Sequence, residues 1–350
     1  MTFRFVADHA AEWPVGWMCD ALEVSASGYY AWASRADSAA EQRRRELVAA
    51  IREVHAEVRE RYGSPRMTAE LNARGQACSE NAVAKLMTAH EIRARTPRRF
   101  VRTTDSGHAH PVADNRLDRD FTPARPNAAW SADITYVPTR EGWVYLAVVE
   151  DLFSRMIVGW SMAATMESRL VVDALELALA RRRPGVGLLA HSDRGSQYAS
   201  EHYQRVLTGA GIVCSMSGVG QCWDNAPVES FFGRLKCEVG IAPGTMFAAR
   251  EDAQAVIFEY LEVFYNRVRR HSSLGFVSPE EFERTYHQTH RSLRLHFSSG
   301  RSVVGNRSSR YRYAANAPGL RAVLGSIPDR RAATARGVPR ASSRRNVRTC

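Results

Sequence analysis

The sequence predicts an α/β protein built on a five-stranded mixed sheet with flanking helices. Three β-rich segments follow one another from residue 130 to residue 162, and helical and extended segments then alternate to residue 215. Helical periodicity covers residues 41 to 99, ahead of this region, and predicts an all-α helix-turn-helix region. Residues 291–350 are rich in Arg, Ser, Ala and Gly, which predicts a largely disordered basic tail.

The composition is that of a globular protein with more than one domain. The chain has 350 residues, of which 45% are hydrophobic and 24% charged, enough to bury at least one core. Its formal charge is +11, but residues 291–350 hold fourteen Arg and one acid, so residues 1–290 sum to −2. The basic character therefore belongs to the tail and is not by itself a signature of nucleic-acid binding by the whole chain.

Neither export nor membrane insertion is indicated. Asp8, Glu12 and Pro14 interrupt the region where a signal peptide needs an apolar core, and the apolar runs are far too short to span a bilayer. The six cysteines include no CxxC pair, which argues against a disulfide framework or a zinc finger and predicts a cytoplasmic protein. Cys214, Cys222 and His191 have the wrong spacing for a zinc site, so buried free thiols are favoured.

The chain is expected to divide into five segments. These are an N-terminal helical segment (1–40), a helix-turn-helix DNA-binding domain (41–100), a linker (101–126), the α/β domain (127–285) and the basic tail (286–350).

The helix-turn-helix prediction rests on three helical stretches. Apolar residues recur at helical spacing to Val58, and GlySerProArg at 63–66 breaks the first helix. A second helix runs from Met67 through Leu71, Gly75 and Gln76 form a turn, and Ser79 caps the third helix. A DNA-reading domain would expose Lys85 with Glu80, Asn81 and Ala84 on that last helix, although a plain three-helix bundle is equally compatible with the spacing.

A basic strip follows these helices. Residues 93–102 hold five Arg and no acid, so Arg93, Arg95, Arg98 and Arg99 are candidate phosphate contacts. A solvated linker is the alternative.

The order of elements from residue 127 identifies the type of sheet. Strands are predicted at 130–137, 143–149 and 155–162, then a helix at 168–181, a strand at 187–190, a helix from about 200 and a strand at 212–215. Three meandering strands followed by helix, strand, helix and strand is the order of an RNase H-like fold, whose last two strands are parallel neighbours.

Three acids fall at positions where this fold can bring them together. Asp133 interrupts an apolar, Thr-rich strand, which is costly unless the carboxylate is paired or holds a metal. Asp193 directly follows the fourth strand, and Glu229 lies in the first turn of a helix opened by Pro227. Such hard oxygen ligands can hold two Mg²⁺ or Mn²⁺ ions for an in-line phosphoryl displacement. The alternative is that these acids are helix caps and surface charges. It fits Glu229 best, because a carboxylate near a helix N-terminus is stabilised anyway, and Asp133 least.

A set of motifs resembles one known family. They are TrpSerAlaAspIleThrTyrVal (130–137), AspLeuPheSerArg (151–155), HisSerAspArgGlySerGlnTyrAlaSer (191–200), CysTrpAspAsnAla (222–226), GluSerPhePheGlyArgLeuLysCysGlu (229–238), and TyrAsnArg followed by ArgHisSerSerLeuGly (265–275). From about residue 3 to about 284 the chain resembles the second-reading-frame product (OrfB) of IS-three-type insertion sequences, a DDE transposase of the retroviral integrase superfamily.

The resemblance implies a function. It makes Asp133, Asp193 and Glu229 the metal-binding catalytic triad, with two Mg²⁺ or Mn²⁺ ions, and implies cleavage of DNA at the element's terminal repeats followed by strand transfer to target DNA. It also implies a helix-turn-helix before the core, an upstream-frame product (OrfA) as partner or fusion, and a homo-oligomer in the active complex. The rival hypotheses are a catalytically silent DNA-binding regulator of the element and a generic RNase H-like nuclease.

Several further residues are candidates for supporting roles. Lys236 lies seven residues after Glu229, hence on the same helix face, where it can meet a phosphate, whereas Phe231 and Leu235 face the core. Asp224 and Asn225 are expected to support the ligands or cap the helix.

The remaining candidates have structural alternatives. Asp151 is a rival acid that more plausibly organises a turn with Ser154 and Arg155, and His191 and Ser192 are expected to make strand-end hydrogen bonds. A basic cluster is predicted to contact DNA, with a solvated helix end as the alternative; its members are Arg267, Arg269, Arg270 and His271.

Overall fold

The computed structural model of the chain describes residues 2–95, 112–218, 221–241 and 244–298. Arg98 and Arg99, the first part of the expected linker, and the tail from residue 299 onward lie outside the described residues. The elements discussed below belong to one compact unit that extends to Leu293, apart from the end of the last helix. No helix in the described part of the chain combines the length and the apolar character needed to cross a membrane.

Three short helices open the chain: α1 (Thr2–Asp8), α2 (Val15–Ala21) and α3 (Ala26–Ala33). Ser25 caps α3, because its hydroxyl oxygen accepts a hydrogen bond from the backbone N–H of Gly28 at 3.2 Å. A small core of their own holds these helices together; its buried members are Val6, Met18, Cys19 and Tyr29.

The helix-turn-helix region consists of α4 (Ala39–Glu57), α5 (Ser64–Ala73) and α6 (Glu80–Ala89). Ser38 and Glu41 form a capping box at the start of α4. Ser79 caps α6 as predicted, by accepting a hydrogen bond from Ala82 N at 3.3 Å. The predicted start of the second helix at Met67 is wrong by three residues: the helix begins at Ser64, since Pro65 is favoured in a first turn.

The sheet confirms the predicted fold class. Its strands are β1 (Ala129–Thr139), β2 (Gly142–Asp151), β3 (Met156–Ala163), β4 (Leu189–Ser192) and β5 (Val213–Met216), in the order β3-β2-β1-β4-β5. The pairs β1–β2 and β2–β3 are antiparallel, and the pairs β1–β4 and β4–β5 are parallel. Helix α7 (Ser168–Arg182) connects β3 to β4, and α8 (Ser196–Ala199) and α9 (Glu201–Gly209) connect β4 to β5.

Helices complete the chain after the sheet. A 3-10 turn (Cys222–Asn225) leads into α10 (Ala226–Glu238), and α11 (Arg250–Glu259) continues into a π-helical turn (Tyr260–Tyr265). A 3-10 turn (Ser272–Leu274) precedes α12 (Pro279–Ser298). The last helix therefore crosses the boundary expected at residue 285, and Tyr286 packs against Phe153, with ring centroids 4.9 Å apart.

The two faces of the sheet bury two different cores. Helix α7 covers one face so closely that a side chain at Gly159 of β3 would meet the carbonyl of Ala174 at 2.1 Å. The other face carries α10, α11 and the π-helical turn, and its core also includes Ile51, Met67 and Leu71 of the helix-turn-helix region. The helix-turn-helix region and the sheet therefore share one continuous hydrophobic core.

Candidate active site

The strand register brings Asp133 and Asp193 next to each other. In the parallel pair β1–β4, Ala132 lies opposite Ser192, and each aspartate is the next residue on its own chain. Adjacent strands are about 4.8 Å apart, and neighbouring positions of a parallel pair project to the same face. The two aspartates therefore stand side by side where β4 ends.

Hydrogen bonds hold the two aspartates in place. An Asp133 carboxylate oxygen accepts from the backbone N–H of Ile134 at 2.8 Å, and an Asp193 oxygen accepts from Gly195 N at 2.9 Å. Asp133 is half-buried in an otherwise well-covered strand. Both carboxylates are thus oriented by the backbone that follows them.

Tyr198 of α8 lies behind this pair of carboxylates, a position that sequence reasoning missed. Burial raises the pKa of its hydroxyl well above the ordinary value, and the charges of Asp133 and Asp193 raise it further. The hydroxyl is buried with no hydrogen-bond partner in the described parts of the chain. The sequence offered one signal for this role: Tyr198 lies five residues after Asp193, within the same motif.

Asn225 ties the start of α10 to β1. Its side-chain amide donates to the carbonyl oxygen of Ala132 at 3.1 Å, and its carbonyl oxygen accepts a hydrogen bond from the Ser131 hydroxyl. It precedes α10 without making a side-chain capping hydrogen bond, so the capping role considered for it is wrong. Asn225 instead fixes the helix beside the residue that precedes Asp133.

Glu229 follows this anchor by one helical turn. It is half-buried on α10, which packs against β1. Over residues 2–95, 112–218, 221–241 and 244–298, no three His, Cys, Asp or Glu side chains form a group that could hold a metal ion as they stand. The register therefore gathers the two aspartates, and Glu229 stands on the adjoining helix α10.

Lys236 occupies the face of α10 that the seven-residue spacing predicts. It is half-buried, and its Nζ lies 4.9 Å from the ring centroid of Tyr136 on β1. Burial lowers the pKa of its ammonium group, and the nearby charge of Asp133 opposes that effect. Phe231 and Leu235 face the core as expected.

Asp224 binds the chain segment that precedes the sheet. Its carboxylate accepts from Arg119 Nε at 2.8 Å, from Asn115 Nδ2 at 2.9 Å and from Gly218 N at 2.9 Å. Burial raises the pKa of this carboxyl, but the hydrogen bonds from Gly218 and Arg119 and the charge of Arg119 outweigh burial and leave the pKa lowered. Residues 115–119, expected to be linker, are thus fastened to the turn before α10.

His191 is a structural residue rather than a base. Its ring nitrogens lie 2.9 Å from the Ser215 hydroxyl and 3.3 Å from the Ser217 hydroxyl. Burial lowers its pKa to about 4, against the opposing charge of Asp224. The ring is therefore neutral near pH 7, in agreement with strand-end hydrogen bonding.

Comparison with known proteins identifies the family of the chain. Two models described as integrase core domain match residues 123–222 and 210–279, and a model described as HTH-like domain matches residues 42–100. The transposase InsF for insertion sequence IS3A of Escherichia coli (strain K12) is 42% identical over 285 residues, which cover 81% of this chain and 98% of that protein. The chain belongs to the IS3 transposase family.

Other relatives extend the comparison. The insertion element IS600 uncharacterized 31 kDa protein of Shigella sonnei is 43% identical over 271 residues, covering 77% of this transposase and 99% of that protein. Among solved structures, a chain of the simian T-cell lymphotropic virus intasome in complex with PP2A regulatory subunit B56 gamma is 17% identical. It covers 66% of this chain and 73% of that one, with a TM-score of 0.39. The transposase is a DDE-type polynucleotidyl transferase.

Asp151, the rival acid, has a structural role in the transposase. It is fully buried at the end of β2, accepts from the backbone N–H groups of Asn127 (2.8 Å) and Phe153 (3.0 Å), and pairs with Arg182 at 3.1 Å. Burial raises its pKa to about 6 in spite of these partners. The expected turn is present, but the Ser154 hydroxyl donates to Glu283 rather than to Asp151.

The DNA-contact candidates of the helix-turn-helix region are exposed. Lys85, Glu80 and Asn81 lie on the open face of α6, with Ala84 half-buried. Arg93 is exposed, and the Arg95 side chain is 37% exposed while its guanidinium lies 3.7 Å from Glu60.

The basic cluster near residue 270 is mostly internal, which differs from both expectations for it. Only Arg267 projects into solvent, with a side chain that is 64% exposed. Arg269 is 1% exposed and bound to Glu238, and Arg270 lies 2.6 Å from Glu70. His271 is buried, and burial together with neighbouring arginines lowers its pKa to about 3. An uncharged, buried His271 is not the phosphate-binding cation that its position suggested.

Proposed function

We propose that the transposase cleaves DNA at the ends of its own element and joins the freed 3′ end to target DNA, with Asp133, Asp193 and Glu229 as ligands of two Mg²⁺ or Mn²⁺ ions. The observation that carries this proposal is the parallel register of β1 and β4, in which Ala132 faces Ser192 and the two aspartates follow.

The donor set suits such ions. Carboxylate oxygens are the ligands that Mg²⁺ and Mn²⁺ prefer, and no thiol or imidazole belongs to the set. His191, the nearest imidazole in the sequence, is occupied by Ser215 and Ser217. We propose that Glu229 of α10 completes the ligand set when the ions and DNA bind.

The chain's own residues orient the reaction. When bound, the two ions would lower the pKa of the attacking hydroxyl and stabilise the leaving oxygen. Asn225 holds the start of α10, and with it Glu229, at β1. Lys236 lies near Asp133 and can bind a non-bridging phosphate oxygen as charge builds up. No covalent intermediate with a protein side chain is needed, since water and then a DNA 3′-hydroxyl serve as nucleophiles.

The remaining parts have assigned roles in the same proposal. Residues 41–100 would recognise the terminal repeat through Lys85, Arg93 and Arg95, and residues 127–285 would carry out catalysis. We also propose that the active complex contains more than one copy of the chain and the upstream-frame product, either separate or fused. The reaction would take place in the bacterial cytoplasm, on the nucleoid.

The test compares charge-neutral variants on DNA that contains the element's ends. D133N, D193N and E229Q should each lose Mg²⁺-dependent cleavage and joining while they still bind the DNA. D173N is the matched control, because Asp173 is 37% exposed on α7 and pairs with Arg169 of its own helix. Each protein is assayed alone and fused to the upstream frame. Full cleavage by any triad variant would disprove the assignment, and cleavage by no form of the wild type would favour the regulator.

A further inference from the structure

Four arginines from four separate parts of the transposase surround His271. Arg66 of α5 donates from Nε to the carbonyl oxygen of Arg270 at 2.8 Å, and Arg234 of α10 donates from Nη1 to His271 Nε2 at 3.4 Å. Arg155, between β2 and β3, and Arg269 also lie within electrostatic range of the ring. We call Arg66, Arg155, Arg234 and Arg269 the His271 arginine cluster.

The acids around this cluster do not balance its charge. Glu238 is bound by Arg269 through three short contacts, and Glu70 is shared between Arg270 and Arg74. Glu150 is the remaining acid, 3.9 Å from Arg155. In the described parts of the chain, neither Arg66 nor Arg234 forms a salt bridge, although Glu238 acts on Arg66 and Glu150 on Arg234 electrostatically. Both arginine side chains are half-buried. Half-buried cations of this kind favour an anionic partner.

Arg269 provides a second, independent indication of an anion. Its side chain is 1% exposed, and its Nε and Nη2 both bind Glu238. Its Nη1 is buried and has no hydrogen-bond partner among the residues that the structure describes. A buried donor without an acceptor is rare in native proteins and indicates a missing ligand or water.

His271 itself serves as a neutral support. Because Nε2 accepts from Arg234, the ring proton belongs on Nδ1, which lies 2.9 Å from the Ser273 hydroxyl. Arg234 uses one N–H group in that contact and Arg66 uses one in its bond to Arg270, which leaves four N–H donors on each guanidinium.

We infer that the His271 arginine cluster is a binding site for one phosphate group of the DNA backbone, held chiefly by Arg66 and Arg234. A guanidinium presents two parallel N–H donors that match two phosphate oxygens, and the phosphate supplies the charge that the neighbouring acids lack. Arg66 belongs to the helix-turn-helix region and Arg234 to the helix that carries Glu229. The bound phosphate would therefore join these two parts of the transposase. The inference rests on the proposed function only in taking DNA as the substrate.

The experiment measures DNA affinity against salt concentration for R66Q, R234Q and the double variant. Loss of one phosphate contact should reduce the slope of log K against log salt by about 0.9 in the double variant. The affinity at low salt should fall about 10-fold, the usual effect of losing a charge-assisted contact. R205Q is the matched control, since it removes one charge from an exposed side chain of α9 and should change neither quantity.

A stability measurement separates a ligand site from a structural one. Because the cluster carries uncompensated charge, R234Q and R66Q should unfold at the same temperature as the wild type or higher. Inorganic phosphate, compared with chloride at equal ionic strength, should raise the unfolding temperature of the wild type and not that of the double variant.

Three outcomes would overturn the inference. The first is an unchanged slope of log K against log salt in the double variant. The second is a loss of stability that accompanies the loss of DNA binding. If the variants do not fold, the third applies: a wild-type unfolding temperature that phosphate leaves unchanged. Failure of the proposed function looks different, because D133N should keep the wild-type affinity and salt slope whether or not the triad assignment is right.

Discussion

Glu238 and Arg269 form a buried, bidentate ion pair between the last residue of α10 and the segment that follows the π-helical turn. Arg269 Nη2 lies 2.6 Å from one carboxylate oxygen and Arg269 Nε lies 2.9 Å from the other. The Tyr260 hydroxyl donates to the same carboxylate at 2.9 Å, and the backbone carbonyl of Glu238 accepts from Arg61 at 3.2 Å. One residue thus joins the end of the helix that carries Glu229 to the helix-turn-helix region.

Removal of this carboxylate should destabilise the whole compact unit. E238A leaves Arg269 as a buried cation without a partner, so we expect the free energy of unfolding to fall by about 3–5 kcal/mol. Urea unfolding followed by circular dichroism measures the change. E201A, on an exposed side chain of α9, should cost less than about 0.5 kcal/mol, and equal effects of the two variants would contradict the prediction.

Glu150 should make stability depend on pH. Burial raises its pKa from 4.5 to about 7, so the folded state binds this proton more tightly than the unfolded state does. The contribution of protonated Glu150 to the free energy of unfolding is therefore fully present below about pH 4.5 and is lost as the pH rises to about 7. E150Q has no buried carboxyl to ionise. Its free energy of unfolding relative to wild type should therefore rise by about 3 kcal/mol between pH 4.5 and pH 8. Urea unfolding at several pH values tests this; a difference independent of pH would refute it.

Asn225 should matter more for cleavage than for DNA binding. N225A leaves the Ala132 carbonyl without its hydrogen bond and frees the start of α10 from β1. We expect strand cleavage to fall about 10-fold or more, since a small misplacement of a catalytic group has effects of that size, while DNA affinity stays within about twofold of wild type. S131A is the comparison, because it removes the hydroxyl partner and keeps the bond to Ala132. A loss of DNA affinity as large as the loss of cleavage would speak against this role.

Gly159 should not tolerate a side chain. A Cβ at this position would lie 2.1 Å from the carbonyl oxygen of Ala174 and 2.7 Å from Ala178 Cβ, so G159A must push α7 away from β3. We expect a loss of about 1–3 kcal/mol in the free energy of unfolding. G209A, where a Cβ meets nothing within 4 Å, should be neutral or slightly stabilising. Thermal unfolding of the two variants gives the comparison.

The parts of the fold that depend on local pattern could be predicted from the sequence. Alternating and β-branched segments located all five strands to within a few residues, and the order of elements was enough for the parallel pairing of β4 and β5. Asp133 and Asp193 could be singled out because the end of a parallel strand is where ligands meet.

Burial by distant partners could not be predicted. Arg269, Arg270 and His271 look like an exposed basic run, but their partners lie 31 to 200 residues away along the chain. These partners are Glu238, Glu70 and Arg234. Asn225 was expected to support the ligands or to cap the helix, but its partners could not be predicted, since Ala132 and Ser131 lie 93 and 94 residues earlier in the chain. The helical start of the expected tail depends likewise on a contact with Phe153.

The core shared by the helix-turn-helix region and the sheet fixes the distance between these two parts of the transposase. Ile51 and Leu71 are buried with Phe231 and Phe264 in one cluster, so the proposed DNA-recognition region packs directly against the helix that carries Glu229. We therefore expect this fixed distance to determine the number of base pairs between the recognised sequence and the cleaved bond. One extra base pair between the recognised sequence and the cleaved bond moves the scissile phosphate about 3.4 Å along the helix axis and rotates it around that axis. With the distance between the two regions fixed, we expect such DNA not to be cleaved at the shifted position.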